Sequence, residues 1–324
     1  MSDKTWEVEI SRDLVYGSAG GKPLLADLYL PRGTGRLLPA IVWLHGGGWR
    51  FGDRKLGPDL TRYFAQRGFA MVSIDYRLSD EAKFPAAVED VKTAVRWLRA
   101  EAVHYGLDAE RIGLWGSSSG GHLAALAALS GRGVFEGKSA EHCEFASDVQ
   151  AVVDGYGPTD FLLMDEQRVS DGIHSDDAES VQLPADLRSA DEGSFESRFL
   201  GRAITTCPEL VQQANPITYA RPGAPPFLIL HGLSDAAVSA QQSELLYDAL
   251  AAHNNDVTLC LISGLGHGFL NRNHLDDGPG RHTEVRGRRR GEEGQGIFAR
   301  IEEFFRGSLG SQDSLWRGRR ATVC

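Results

Sequence analysis

The apolar positions of this chain cluster into short runs, and polar or amphipathic stretches separate one run from the next. Runs that are apolar throughout are typical of strands buried on both faces of a sheet. A strand with one solvent-exposed face instead alternates apolar and polar residues. The alternating run at residues 24–30 predicts a first strand. Buried strands are predicted at residues 40–44, 69–74, 112–115, 149–153, 227–230 and 257–262.

Amphipathic segments with a helical period fill the gaps between these strands. After Pro85, the apolar residues Val88, Val91, Val95 and Leu98 recur every three or four positions, which marks one buried helix face. Strands that alternate with helices predict an α/β fold, in which a mostly parallel central sheet has helices on both faces. Further helices are predicted at residues 122–129, 239–252 and 297–305.

Two internal stretches and the C-terminal tail do not follow this alternation of strands and helices. Residues 161–219 are polar and acidic, and we expect an insertion that caps the sheet or forms a substrate wall. Residues 271–296 are rich in glycine and arginine and are predicted to be a mobile loop. Residues 308–324 contain few apolar side chains that could be buried, so they are predicted to be disordered. Residues 1–307 are then expected to form a single domain.

The composition narrows the choice of partners. Lys and Arg number 34 against 44 Asp and Glu, a formal net charge of −10, which argues against binding to nucleic acid. No long apolar segment and no secretory signal pattern are evident, so we expect no membrane partner and a cytoplasmic location. The four cysteines form no CxxC pair, so we expect no metal site.

The sequence GSSSG at residues 116–120 lies between the predicted strand 112–115 and a helix of small residues. This is the context of a nucleophile elbow, a sharp strand-to-helix turn that exposes a serine at the edge of the sheet. Only Ser118 has glycine both two positions before and two positions after it. We therefore predict Ser118 as the nucleophile, with the backbone N–H of Ser119 as a donor to the oxyanion.

The sequence HGGGW at residues 45–49 directly follows the predicted strand 40–44. Glycines allow a backbone to approach a substrate closely, and their N–H groups can stabilise the oxyanion of an ester's tetrahedral intermediate. A phosphate-binding loop would require the sequence Gly-Lys-Ser/Thr, which is absent. The motif therefore favours an oxyanion loop.

Asp235 and His267 complete the candidate chemistry. Each lies soon after a predicted strand, and the chain order Ser118, Asp235, His267 is the order expected of hydrolases with a nucleophile elbow. His267 would accept the serine proton, and Asp235 would hold the imidazole in the required tautomer. Alternatively, Asp235 caps the following helix and His267 is an ordinary turn residue.

Other residues near these motifs leave alternatives open. Asp154 and Asp160 also follow a strand; they are alternative candidates for the acid, Asp160 in particular, or they simply shape their loop. His45 and His231 end strands but precede the expected position of the base, so a supporting role is expected for His45. Trp49 and Phe269 flank the motifs, and they either contact the substrate or simply pack.

With these motifs in place, the chain resembles microbial carboxylesterases related to bifunctional acetyl-xylan/feruloyl esterases, and more broadly the hormone-sensitive-lipase-like esterases with an HGGG motif. The resemblance implies an α/β-hydrolase fold, the same catalytic triad, and Gly47, Gly48 and Ser119 as oxyanion donors, with Gly46 as an alternative. The similar segments are residues 45–49, 73–78, 84–98, 116–126, 156–160, 231–235 and 266–269.

Two features depart from these esterases. Many of them have alanine where Ser119 stands, but the expected donor is a backbone N–H, so its function should survive. The loop at residues 271–296 has no counterpart that we can match.

The resulting prediction is a serine carboxylesterase that hydrolyses short-chain acyl or aryl esters without a metal or organic cofactor. Acetyl and feruloyl esters of sugars are candidate substrates. The alternatives are an amidase, such as an aryl formamidase, or a peptidase on the same fold. A non-catalytic ligand-binding protein on this scaffold is a further alternative, although such proteins tend to lose the histidine that is present here.

Overall fold

A computed structural model describes residues 5–137, 141–171, 187–278, 280–289, 291–292 and 294–310. Within these residues, nine strands form one sheet with the spatial order β1-β2-β4-β3-β5-β6-β7-β8-β9. The strands are β1 Val8–Ala19, β2 Lys22–Pro31, β3 Leu38–Leu44, β4 Ala70–Ile74, β5 Leu107–Ser117, β6 Ala151–Gly155, β7 Phe227–Gly232, β8 Val257–Ile262 and β9 Thr283–Gly287.

The centre of the sheet is parallel and its edges are antiparallel. Strands β4, β3, β5, β6, β7 and β8 pair in parallel. At one edge, β1 and β2 run antiparallel to their neighbours, and at the other edge β9 runs antiparallel to β8. The predicted mostly parallel sheet is therefore present, and the carboxyl ends of its central strands meet at one edge.

The described helices lie between the strands. The α-helices are α1 Leu60–Tyr63, α2 Ala86–Ala100, α3 Ala102–Tyr105, α4 Ser119–Ser130, α5 Met164–Asp171, α6 Phe195–Leu200, α7 Pro208–Ala214, α8 Ala240–Ala252 and α9 Ile297–Ser308. None of them combines the length and apolar character that a membrane-spanning segment requires.

Both faces of the sheet are buried, as β3 illustrates. Its side chains alternate between two hydrophobic clusters, because successive residues of a strand point to opposite faces. Val42 and Leu44 join the cluster that contains residues of α2, α4 and α8. Ile41 and Trp43 join the cluster that contains residues of α1 and α9. This double burial explains why the central strands are recognisable as continuous apolar runs.

The prediction of a mobile loop at residues 271–296 is wrong in part, because β9 lies within it. The segment pairs with the edge of β8, and two of its arginines, Arg286 and Arg289, are held by acidic groups on neighbouring parts of the chain. A guanidinium nitrogen of Arg286 lies 2.7 Å from a carboxylate oxygen of Glu244, and one of Arg289 lies 2.7 Å from a carboxylate oxygen of Asp256. The arginine-rich sequence is therefore at least partly an ordered edge strand.

The region predicted as an insertion, residues 161–219, contains α5, α6 and α7, and residues 172–186 within it lie outside the described residues. Residues 308–324, predicted to be a disordered tail, also lie mostly outside the described residues. Helix α9 continues to Ser308, three residues beyond its predicted end. The helix predicted to start at Ser239 begins at Ala240. Ser239 is its N-cap, because the Ser239 side chain accepts a hydrogen bond from the N–H of Gln241.

Candidate active site

The predicted nucleophile lies in a strained turn between β5 and α4. Ser118 has φ 54° and ψ −123°, a conformation that is costly for a residue with a side chain and is concentrated at functional sites. The turn is tight enough that a Cβ on Gly120 would collide with the carbonyl oxygen of Leu44. Glycine is therefore required two residues after the serine, which is the physical basis of the sequence pattern.

The structure brings the three predicted side chains together. Nε2 of His267 lies 2.9 Å from Oγ of Ser118, and Nδ1 of His267 lies 2.7 Å from a carboxylate oxygen of Asp235. The three residues come from loops that follow β5, β7 and β8. Because parallel strands end at the same edge, residues far apart in sequence meet there. The arrangement forms a continuous hydrogen-bonded path from hydroxyl to imidazole to carboxylate.

The carboxylate of Asp235 is fully buried and held in place by several groups. One oxygen accepts hydrogen bonds from the backbone N–H groups of Ala237 and Val238, each at 2.9 Å. Burial alone would raise the pKa of Asp235, but the charge of His267 and hydrogen bonds from His231 and His267 outweigh it and hold the pKa well below its usual value. The carboxylate is therefore ionised and can stabilise a positive charge on His267.

The predicted oxyanion donors face a cavity beside Ser118. Gly46, Gly47, Gly48, Ser118 and Ser119 all line it. Among the described residues, no group accepts a hydrogen bond from the backbone N–H of Gly47 or Gly48, and Ser119 is the first residue of α4, where the N–H has no intrahelical partner. Gly47 has φ 122°, a conformation that a residue with a side chain rarely adopts. These N–H groups can serve an incoming oxyanion.

The cavity has a volume of about 300 Å³ and is mainly apolar. The polar groups at the cavity include the Ser118–His267 pair and the carboxyl of Glu196, which is nearly fully buried. Burial raises the pKa of Glu196, and the nearby charge of Asp165 adds to this effect. Six described residues of the region predicted as an insertion also line the cavity, and the apolar lining includes Trp49, Phe51, Tyr156, Met164, Phe195 and Val238.

The two residues predicted either to contact substrate or to pack differ in their placement. Trp49 lines the cavity although its side chain is almost completely buried. Phe269 is fully buried, lies with its ring centroid 4.8 Å from that of Tyr156, and is not among the described residues that line the cavity. The packing alternative therefore fits Phe269 better.

The alternative acid, Asp160, is used by its own loop. Its carboxylate accepts a hydrogen bond of 3.1 Å from the N–H of Leu162, whereas His267 is bonded to Asp235.

His45 is the first residue of the HGGGW motif, and its ring stacks on Tyr76 with centroids 4.3 Å apart. The Tyr76 hydroxyl donates to the His45 carbonyl oxygen at 2.8 Å, a contact that agrees with the expected supporting role.

His231 supports Asp235 from behind, a role that the sequence analysis does not predict. His231 lies next to the last residue of β7, and its Nε2 lies 2.9 Å from the carbonyl oxygen of Val238 and 3.4 Å from a carboxylate oxygen of Asp235. Its Nδ1 lies 2.7 Å from Oγ of Ser243 on α8. The position of His231 directly after the predicted strand 227–230, four residues before Asp235, is the sequence signal for this role.

Asp154, at the end of β6, is a buried carboxyl beside the first turn of α4. It accepts a hydrogen bond of 2.9 Å from the N–H of Gly157. Burial raises the pKa of Asp154 to about 6, although the Gly157 hydrogen bond and the charge of His231 oppose the shift. Because the protonated form is favoured in the folded protein, this group stabilises the fold at low pH and loses that effect as the pH rises through 6.

We expect Asp154→Asn to remove this pH dependence. The amide oxygen keeps the acceptor for Gly157 but cannot ionise, so the variant should gain about 2 kcal/mol in unfolding free energy relative to wild type as the pH rises from 4.5 to 8. Urea unfolding of both proteins across this range measures the difference. A difference that stays constant with pH would contradict the assignment of a raised pKa to Asp154.

No group of three or more His, Cys, Asp or Glu side chains in the described part of the chain is arranged to hold a metal ion. The described cysteines Cys143, Cys207 and Cys260 are free thiols. Cys260 is fully buried on β8, as the apolar pattern around it predicts.

Comparison with known proteins identifies related chains. The sequence model of the family described as BD-FAE matches residues 26–250, more than half of the chain. Esterase LipC of Mycobacterium tuberculosis is 31% identical over 248 residues, which cover 76% of this chain and 56% of that protein. The chain thus spans about half the length of the curated relatives it matches.

Solved structures agree with this relationship. A bifunctional GH43-CE protein of Bacteroides eggerthii superposes with a TM-score of 0.72 and 28% identity, covering 96% of this chain and 36% of that one. An esterase of Pyrobaculum calidifontis superposes with a TM-score of 0.63 and 28% identity, covering 81% of this chain and 78% of that one. The predicted α/β-hydrolase fold and the resemblance to esterases are both confirmed.

Proposed function

Because this chain belongs to the BD-FAE family, we propose that it is a serine carboxylesterase that hydrolyses short-chain acyl or aryl esters through an acyl intermediate on Ser118. The observation that carries the proposal is the path from Ser118 through His267 to Asp235, which begins beside a cavity lined by the Gly47 and Gly48 backbone.

In the first half of the proposed reaction, His267 removes the proton from Ser118 as Oγ attacks the ester carbonyl carbon. The backbone N–H groups of Gly47, Gly48 and Ser119 stabilise the resulting oxyanion, an interaction worth about 3 kcal/mol per donor. Asp235 stabilises the imidazolium of His267, which then donates its proton to the departing alcohol. A water molecule, activated by His267, releases the acid by the reverse sequence.

The cavity supports small substrates. Its volume of about 300 Å³ is at the lower end of the range for ligand pockets, and its lining is mainly apolar. Acetyl and other short acyl groups, or a single aryl group, suit such a site, and we include acetyl and feruloyl esters of sugars among the candidates. The chemistry requires no metal or organic cofactor, because proton transfer and oxyanion stabilisation come from the chain itself.

We also propose that the insertion at residues 161–219 serves as a substrate wall of the one catalytic domain, since Met164 and Phe195 line the cavity. We propose a cytoplasmic location, with which the low cysteine content of four residues in 324 is compatible. A small ester is the proposed partner, and the net charge of −10 disfavours nucleic acid.

A substrate panel tests the proposed function. The panel contains p-nitrophenyl acetate, butyrate and octanoate, methyl ferulate, and the matched aryl formamide and aminoacyl anilide. We expect kcat/KM to be highest for the short esters and to fall by roughly 10-fold or more for octanoate, since the excess chain cannot be buried in the cavity. Faster cleavage of the formamide or anilide would favour an amidase or peptidase. Absence of turnover with every compound would favour a ligand-binding protein.

A further inference from the structure

The oxyanion loop adopts a backbone conformation that needs external support. Gly47, Gly48 and Trp49 have φ values of 122°, 60° and 56° in succession. A left-handed conformation is unfavourable for a bulky residue such as Trp49 and persists only where surrounding contacts impose it. One such contact is on the backbone, where the Trp49 carbonyl oxygen accepts a hydrogen bond of 2.7 Å from the N–H of Ser79.

The second support is the buried indole of Trp49. Its ring stacks on Phe199 of α6 with centroids 4.7 Å apart and an interplanar angle of 16°. Its Nε1–H donates a hydrogen bond of 3.2 Å to Nδ1 of His122 on α4, and the two rings meet edge to face. The indole is 1% exposed, and the imidazole is fully buried. Van der Waals packing and one directional hydrogen bond therefore hold the same side chain.

The imidazole of His122 is fixed in the form that accepts this hydrogen bond. Nε2 of His122 lies 2.8 Å from the carbonyl oxygen of Ala214, so Nε2 carries the proton and Nδ1 is the acceptor. Burial lowers the pKa of His122 to about 4, although the hydrogen bond to Ala214 opposes the shift, so the ring is neutral near pH 7. A neutral imidazole can accept the hydrogen bond from the Trp49 indole through Nδ1.

The location of this contact relates it to the oxyanion donors. His122 lies on the first turn of α4, where its backbone N–H donates to the carbonyl oxygen of Ser118 at 3.0 Å. Ser119, on the same turn, supplies one proposed donor, and the loop that ends at Trp49 supplies the others. The side-chain bond therefore joins the two segments that must hold their N–H groups at a fixed separation. Ala214, at the end of α7, extends the connection into the insertion.

We propose that Trp49 and His122 are a positioning pair that holds the oxyanion loop at its working distance from the nucleophile turn. The inference rests on the proposed function, because it concerns the oxyanion of that same reaction. Neither side chain reacts. Their effect is exerted through the backbone N–H groups of Gly47 and Gly48, which the bond keeps aligned with the N–H of Ser119.

Trp49→Phe tests the pair, because phenylalanine keeps the stacking on Phe199 and loses the N–H donor. A donor displaced from the oxyanion weakens the transition state more than the bound substrate, so kcat for p-nitrophenyl acetate should fall roughly 10- to 100-fold while KM changes by less than about 2-fold. The rate at which an organophosphonate labels Ser118 should fall by a similar factor, because its phosphoryl oxygen uses the same donors. Trp97→Phe, a change to a buried tryptophan on α2, is the matched control and should leave both constants unchanged.

Substitutions of His122 separate positioning from packing. Asparagine places an acceptor near the Nδ1 position and should retain most of kcat, whereas glutamine places a donor near the Nε2 position and should reproduce the loss. In the double variant Trp49→Phe/His122→Gln, kcat should be no lower than in the worse single variant, because both changes remove one bond. His122→Gln also tests the bond with Trp49 intact, in case Trp49→Phe does not fold.

The proposal is overturned if Trp49→Phe has wild-type kcat, if its defect appears in KM alone, or if the two losses multiply in the double variant. Wild-type protein without esterase turnover would instead contradict the proposed function, so the two failures are distinguishable.

Discussion

Ser118→Ala should lose ester turnover by about four to six orders of magnitude while it retains the wild-type fold. The hydroxyl oxygen of Ser118 is the only group on the proposed reaction path that forms a covalent bond to the substrate, and alanine removes it without adding volume. Steady-state hydrolysis of p-nitrophenyl acetate, measured together with circular dichroism and thermal unfolding, gives both quantities. The residual rate should approach what the oxyanion donors and binding provide alone.

Ser117→Ala is the matched control, because Ser117 is adjacent in sequence and fully buried, whereas Ser118 lies at the cavity. The control should keep turnover within a few-fold of wild type. Ser118 is one of three adjacent serines, and this pair of variants tests the assignment that the flanking glycines favour. Full turnover in Ser118→Ala, or its loss in Ser117→Ala alone, would reject the assignment of the nucleophile.

Asp235→Asn should lower kcat by about 10⁴-fold, with little change in KM. The amide oxygen can still accept the N–H groups of Ala237 and Val238, so the loop should keep its shape. The amide nitrogen, however, would donate to Nδ1 of His267 and leave the proton on Nε2. In that tautomer His267 cannot accept the proton of Ser118.

Asp277→Asn provides the control for Asp235→Asn. Asp277 also lies 2.8 Å from Nδ1 of a histidine, His274, but this pair is on the surface. Its loss should leave turnover unchanged, which would separate a specific effect from a general effect of removing a carboxylate. Wild-type activity in Asp235→Asn combined with a loss in Asp160→Asn would transfer the acid's role to Asp160.

The central strands and the candidate site could be predicted because each has a local cause. Strands β3, β4, β7 and β8 are buried at every position, so their apolar character is nearly continuous along the chain. The glycines around Ser118 and in the oxyanion loop are required by close backbone approach and by left-handed conformations, so they appear as fixed patterns. Because parallel strands end at one edge, the order of motifs also indicated which loops would meet.

The edge strands and the supporting contacts could not be predicted for the opposite reason. β1 and β9 pair with one neighbour only and have many exposed positions, so their sequences resemble polar loops. The bond between Trp49 and His122 joins residues 73 positions apart, and neither residue has a local pattern that indicates its partner. No local pattern indicates the burial of Glu196 either, because that burial depends on how the insertion folds against the cavity.

The central claim is that Ser118 is the activated nucleophile. Brief incubation with an excess of an organophosphonate, followed by intact-mass and peptide mass spectrometry, tests it most directly. The account predicts one adduct per chain, located on Ser118 and absent from folded Ser118→Ala. An adduct on a different residue, or none on folded wild-type protein, would contradict it.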